Sequence, residues 1–218
     1  MRTVPMAAPD PTGTDPVPEP ELLETNRRII ASCTRLGLSL ASAESLTGGR
    51  FVASLVDVPG ASAVVRGGLV TYATDLKSSL AAVDADHLEE TGPVDPVVAA
   101  QMAVGTAVKC VADIGISCTG VAGPDPQDGK PVGLVYTAIA FGGKPKVFEH
   151  VFSGDRDTIR DRTVQAMSAN LEEFVSELAY GPSESGEGER AESGEGERGA
   201  GSIDQAGSDG GNDDGDDT

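Results

Sequence analysis

Ser45 lies in a glycine-rich stretch, Ala43-Glu44-Ser45-Leu46-Thr47-Gly48-Gly49, and Tyr72 and Lys77 follow it 27 and 32 residues later. A serine hydroxyl is a weak nucleophile until a neighbouring group takes its proton. The two histidines, His87 and His150, fall outside any triad-like or metal-like motif, so the base would have to be an amine. Lys77 can serve if burial or a nearby positive charge depresses its pKa. Tyr72 would then relay the proton or hold the lysine in place. Such a set fits hydrolysis of an amide through Ser45. Each residue also has a plainer role open to it: Ser45 as a helix cap, Lys77 as a solvated side chain, Tyr72 as a sheet-edge aromatic.

Two loops are placed to meet a substrate. Glu44 to Gly49 and Thr119 to Lys130 both follow short apolar runs, and their glycines allow close backbone approach to a ligand. The first loop opens a helix, whose free amides suit a phosphate or a developing oxyanion. Neither loop matches the Gly-Lys-Ser/Thr phosphate loop or GxGxxG. The candidate substrate contacts are Glu44, Thr47, Gly48 and Gly49 in the first loop, and Thr119, Gly120, Ala122, Gly123 and Lys130 in the second. Gly133, just beyond the second loop, and Arg156, beside the Gly154 turn, complete the set. Glu44 has three open roles: ordering its loop, orienting Lys77, or facing solvent.

The elements that must position these residues are legible from periodicity. Leu22 to Leu36 reads as an amphipathic helix stopping at Gly37, and Leu38 to Ala43 as a strand. A helix is expected from Thr47 to Pro59-Gly60, which puts Ser45 in a strand-to-helix crossover. Val64 to Tyr72 reads as a strand, and a short helix carries Lys77. Asp95 is placed to cap a helix from Pro96 to Val111. Asp113 to Thr119, Val132 to Phe141 and Lys146 to Phe152 read as strands, the last two as a hairpin across Gly142-Gly143. A long helix from about Gly154 to Leu178 closes the fold. The order predicts a layered α/β/α domain with a mixed, partly antiparallel sheet.

Composition bounds the rest. Residues 1–20 hold six prolines and few apolar side chains, as a disordered arm would. Residues 181–218 hold 12 acidic and 2 basic residues and no aromatic, so they read as an acidic low-complexity tail. The folded domain is therefore expected over residues 21–180, and the net charge of −19 belongs mostly to the tail. That charge argues against nonspecific binding to nucleic acid or an anionic membrane. Cys33, Cys110 and Cys118 form no CxxC pair and read as packed thiols. No leader-like or membrane-length apolar run occurs, so a cytoplasmic location is expected. Assembly into a homo-oligomer is left open.

From Leu22 to Leu178 the chain resembles the C-terminal domain family of the competence- and damage-inducible protein CinA, whose enzymes are nicotinamide-nucleotide amidases. The likeness is carried by the Ser45 motif and by Asp57-Val58-Pro59-Gly60-Ala61-Ser62, Gly67-Gly68-Leu69-Val70-Thr71-Tyr72 and Thr119-Gly120-Val121-Ala122-Gly123-Pro124. Lys130-Pro131-Val132-Gly133 and Phe152-Ser153-Gly154-Asp155-Arg156 extend it. The resemblance implies deamidation of nicotinamide mononucleotide to nicotinate mononucleotide and ammonia. It puts the nucleophile on Ser45 and its partners on Tyr72 and Lys77. It also implies a small-molecule substrate, with neither a metal nor any other cofactor. The alternative is a non-catalytic nucleotide- or phosphate-binding module of the same fold. The chain departs from the family pattern at Leu46, where Cys is common, at Ala73-Thr74-Asp75, where Ser-Asn-Glu is common, and at Asp95, where the cap is usually Ser. The 125–129 loop lacks the paired glycines frequent there. The larger nucleotide-binding domain of two-domain relatives is expected to be absent.

Overall fold

The computed structural model describes residues 20–181. Except for Pro20 and Gly181, the arm and tail expected from composition lie outside that range. The first helix, α1 (Pro20–Leu36), buries Asn26, Ile29, Ile30 and Cys33 on one face and hands over at Gly37 to β1 (Leu40–Glu44), a fully buried strand. Next comes α2 (Arg50–Val56), which starts three residues later than its apolar pattern predicts. The reason is local: Gly48 and Gly49 take φ of 64° and 96°, a left-handed conformation incompatible with continuing a helix backwards to Thr47. At seven residues α2 is too short to persist alone, and burial of Phe51 and Leu55 holds it to the sheet.

The chain continues through β2 (Val65–Val70), α3 (Thr74–Ala81), α4 (Ala85–Thr91) and α5 (Pro96–Cys110). The short α4 was not expected from periodicity; its signal is Asp84, whose carboxylate accepts from the His87 amide as an N-cap. Asp95 caps α5 as predicted, accepting from the amides of Val97 and Val98 at 2.8 and 3.3 Å. A Cβ on Gly105 would lie 1.8 Å from the Ala81 carbonyl, so only glycine lets α5 press against the end of α3. The last elements are β3 (Ile114–Gly120), β4 (Leu134–Phe141), β5 (Lys144–Val151) and α6 (Arg156–Tyr180). Gly142 and Gly143, both at positive φ, form the two-residue turn that joins β4 to β5.

The five strands run in the order β2-β1-β3-β4-β5. β1 pairs parallel with β2 and β3, while β3–β4 and β4–β5 are antiparallel, giving the mixed sheet that the element order predicts. One face packs on α1, α2 and α6 around Leu40, Phe51, Ile116, Val135 and Leu171. The other packs on α3, α4 and α5 around Ala43, Leu88, Val98, Met102 and Ala138. The C-terminal ends of β1 and its parallel neighbours meet where Glu44 registers with Val70 and Cys118. There the chain leaves β1 to one side for β2 and later returns on the other side as β3. That switch in direction opens a crevice, the usual ligand position in parallel α/β sheets. Among the described residues no helix is long and apolar enough to cross a membrane.

Candidate active site

A cavity of about 220 Å³ occupies this crevice, lined by Ser45, Tyr72, Lys77, Thr119 to Gly123 and Arg156, with Leu46, Thr74, Pro93, Val94, Asp125 and Gln127. Lys77 reaches it from the first turns of α3 with its side chain sunk into protein, only 1% exposed. Its Nζ donates to Ser45 Oγ at 2.9 Å and to the Thr71 carbonyl at 2.7 Å. Burial disfavours the ammonium form and lowers the Lys77 pKa from 10.5 to about 8. An amine that sheds its proton near neutrality, bonded to the hydroxyl of a serine on a cavity wall, can act as a general base toward that hydroxyl.

Tyr72 makes no hydrogen bond to Ser45 or Lys77 among the described residues. Its ring is 61% exposed on the cavity rim, and its hydroxyl accepts from Arg156 Nη2 at 3.0 Å. Arg156 Nη1 donates to the Gly123 carbonyl at 2.7 Å. One guanidinium therefore joins the strand end after β2, the start of α6 and the loop after β3 across the cavity mouth.

Of the first-loop candidates, Glu44, Thr47, Gly48 and Gly49 are absent from the lining and sit beneath it. Glu44 is 1% exposed, and its two oxygens accept from the amides of Gly49, Phe51 and Val52 at 2.8, 3.1 and 2.8 Å. They also accept from the hydroxyls of Thr47 and Ser42. Glu44 thus orders its loop, the first of its three open roles, and occupies the helix-start amides otherwise available to a phosphate. Thr47 is fully buried between Glu44 and the Cys118 sulfur, 3.2 Å from the latter. Gly48 packs under Arg160: a Cβ there would stand 3.6 Å from Nη2. Cys118 is likewise buried, and burial pushes its thiol up to about 11, which keeps it protonated and inert.

In the second loop, Thr119 lines the cavity, but its hydroxyl is bonded to the Pro93 carbonyl at 2.6 Å. Gly120, Ala122 and Gly123 also line it. Lys130 and Gly133 lie outside the lining. Lys130 forms a two-bond bridge with Gln127 that closes the 127–130 turn. Gly133 is needed for packing, since a Cβ there would meet the Phe152 carbonyl at 1.9 Å. Sequence reasoning missed Arg160, whose Nε and Nη2 donate to the carbonyls of Leu46 and Thr47 at 2.8 and 3.1 Å. Its four-residue spacing from Arg156 was the available signal, since it puts both on one side of a helix.

A three-layer α/β domain with a lysine–serine pair at its switch point is the class defined by fold and cavity together. Residues 23–175 match the CinA C-terminal domain, and the chain belongs to that family. It is 48% identical over 128 residues to a competence-damage inducible protein of Geobacillus sp. (strain WCH70), covering 58% of this chain and 31% of the relative. It is also 48% identical over 135 residues to one from Clostridioides difficile (strain 630), covering 62% of this chain and 32% of the relative. The matched span is therefore about a third of those relatives' length. Among solved structures, the competence/damage inducible protein CihA from Agrobacterium tumefaciens superposes with a TM-score of 0.69 at 36% identity, covering 71% of this chain and 96% of that one. A CinA superfamily protein from Klebsiella pneumoniae 700603 gives a TM-score of 0.69 at 29% identity, covering 71% and 98%.

Proposed function

We propose that the domain hydrolyses the carboxamide of nicotinamide mononucleotide, releasing nicotinate mononucleotide and ammonia. The observation that carries this reading is the 2.9 Å contact between the buried Lys77 amine and Ser45 Oγ. Neutral Lys77 takes the Ser45 proton as Oγ bonds to the carboxamide carbon, and the carbonyl π pair moves onto its oxygen. When that pair returns, the C–N bond breaks and the lysine ammonium gives its proton to the departing nitrogen, which leaves as ammonia. Water then attacks the Ser45 ester, losing a proton to Lys77, and the protonated Ser45 hydroxyl is restored as the acid departs. Arg156, on the rim, is the cation suited to the substrate phosphate, since a guanidinium matches phosphate oxygens bidentately. The Ala122 and Gly123 amides make no hydrogen bond among the described residues and belong to residues that line the same cavity. Tyr72 belongs to substrate contact at the mouth.

The test is ammonia release from nicotinamide mononucleotide by the full chain, measured beside Ser45→Ala. Turnover by the wild type and its loss in the variant support the reading. Nucleotide binding without ammonia release by the wild type would make the domain a binding module instead.

A further inference from the structure

One stretch of the cavity wall takes no part in the bond-breaking steps. Asp125 and Gln127 both line the cavity, in the 125–129 loop that lacks the paired glycines frequent in the family. Asp125 stands between Pro124 and Pro126. Proline fixes its own φ and drives the residue before it toward extended backbone, so Asp125 keeps little freedom. Beyond Pro126 the chain turns at Asp128 and Gly129, whose φ of 48° and 73° are both left-handed, as in a two-residue hairpin turn. Bonds of 3.1 and 2.8 Å between the Gln127 and Lys130 backbones close that turn, and Gln127 Nε2 donates to the Asp128 carboxylate at 3.3 Å. On the other side of Asp125, the Gly123 carbonyl is held by Arg156. Asp125 is two residues from Gly123, so no more than about 7 Å of chain separates it from that anchor.

The rim therefore carries two opposite charges that do not meet. Arg156 donates to two neutral oxygens, the Tyr72 hydroxyl and the Gly123 carbonyl. The Asp125 carboxylate makes no hydrogen bond or ion pair among the described residues. We infer that Asp125 is the sugar-recognising residue, its carboxylate accepting from the vicinal 2′- and 3′-hydroxyls of a ribose while Arg156 holds the phosphate. The inference rests on the nucleotide reading above and narrows the substrate class to ribonucleotides. An ionised carboxylate is acceptor-only, and its two oxygens suit two O–H donors in charge-assisted bonds. In dinucleotide-binding α/β folds an acidic side chain reads a ribose hydroxyl in the same way. A nucleotide carries its hydroxyls and its phosphate on one sugar, so one anchor of each sign on a single rim matches it.

The test compares ammonia release from nicotinamide mononucleotide and from its 2′-deoxyribose counterpart, by the full chain and by Asp125→Ala. The wild type should lose roughly 10- to 100-fold in kcat/KM on the deoxyribose substrate, the span of a hydrogen bond to a charged group. Asp125→Ala should lose at least as much on the ribose substrate and discriminate little between the two. Binding of the product, nicotinate mononucleotide, and of its 2′-deoxy form makes the same comparison without chemistry. A wild type that treats the two sugars alike, or an Asp125→Ala protein that keeps the preference for ribose, overturns the inference. An equal loss on both substrates in Asp125→Ala overturns it too, and makes the carboxylate a partner of the positively charged pyridinium ring. A wild type that releases no ammonia, yet binds the ribose form better through Asp125, removes the amidase reading and leaves the sugar site standing. One that binds neither form removes both.

Discussion

Glu44 and Ser45 are consecutive, yet only Ser45 lines the cavity; the Glu44 carboxylate turns under α2 and takes the amides of Phe51 and Val52 and of the N-cap Gly49. The acid is thus the mould in which the turn that carries Ser45 is cast. Glu44→Gln replaces one acceptor oxygen by an NH₂ that faces other donors. Leaving a buried donor unsatisfied costs about 1–3 kcal/mol, more where the partner was charged. We expect Glu44→Gln to lose about 2–3 kcal/mol of stability, the upper part of that range. Urea unfolding of the two proteins checks it, and an unchanged midpoint would mean that the turn stands without the carboxylate.

Ser45→Ala tests the nucleophile itself. It removes one oxygen whose contact is the Lys77 amine, and the backbone bond from the Ser45 amide to Cys118 is retained. Ammonia release should vanish while the far-UV spectrum and nucleotide affinity stay close to wild type. If affinity is lost and the residual rate is not, Ser45 is a ligand contact.

The sheet was legible because its signals are local. Apolar runs such as Ile114 to Cys118, the Gly142-Gly143 turn and the Asp95-Pro96 helix start each act within a few residues. The meeting of Ser45 with Lys77 was foreshadowed by residue type and by family resemblance. Its 2.9 Å distance depends on the parallel pairing of β1 with β2, which no local pattern encodes. Glu44 was ambiguous for a related reason: a buried carboxylate and a solvated one look alike in sequence until the amides that donate to it are placed. Tyr72 and Arg156 are 84 residues apart, and their contact needs the start of α6 to lie across the mouth from the end of β2. The same holds for Arg160, which reaches 114 residues back to Leu46.

Arg156 ties Tyr72 to Gly123 across that mouth, so its loss should loosen the rim and remove a cation together. Arg156→Ala should raise KM for nicotinamide mononucleotide roughly 10- to 100-fold, the span of a lost charge-assisted bond, with a smaller change in kcat. Tyr72→Phe removes only the hydroxyl that Arg156 holds, and should mainly affect KM. A collapse of kcat in Tyr72→Phe would give the tyrosine a proton-relay role instead. Steady-state kinetics on both single variants and the double variant settle the coupling.

Lys77 makes the sharpest prediction because its pKa has a direction and a value. Burial lowers it to about 8, so the neutral amine that the proposed reaction needs accumulates as pH rises through that point. The rate kcat/KM for ammonia release should climb between about pH 7 and 9 with a midpoint near 8. Lys77→Arg should be inactive throughout, since a guanidinium keeps its proton at these pH values. The same shift governs stability. Between about 8 and 10.5 the unfolded chain holds the lysine proton and the folded chain does not. Stability contributed by this group therefore rises with pH across that window and is lost as pH falls through 8. Wild type and Lys77→Met, unfolded in urea at pH 7.5 and 10 (about half a unit below the window and about half a unit short of its upper end), should show the wild type gaining relative stability at the higher pH. A wild-type advantage that is flat or shrinks with pH would mean the folded lysine keeps its proton, and would remove Lys77 as the general base.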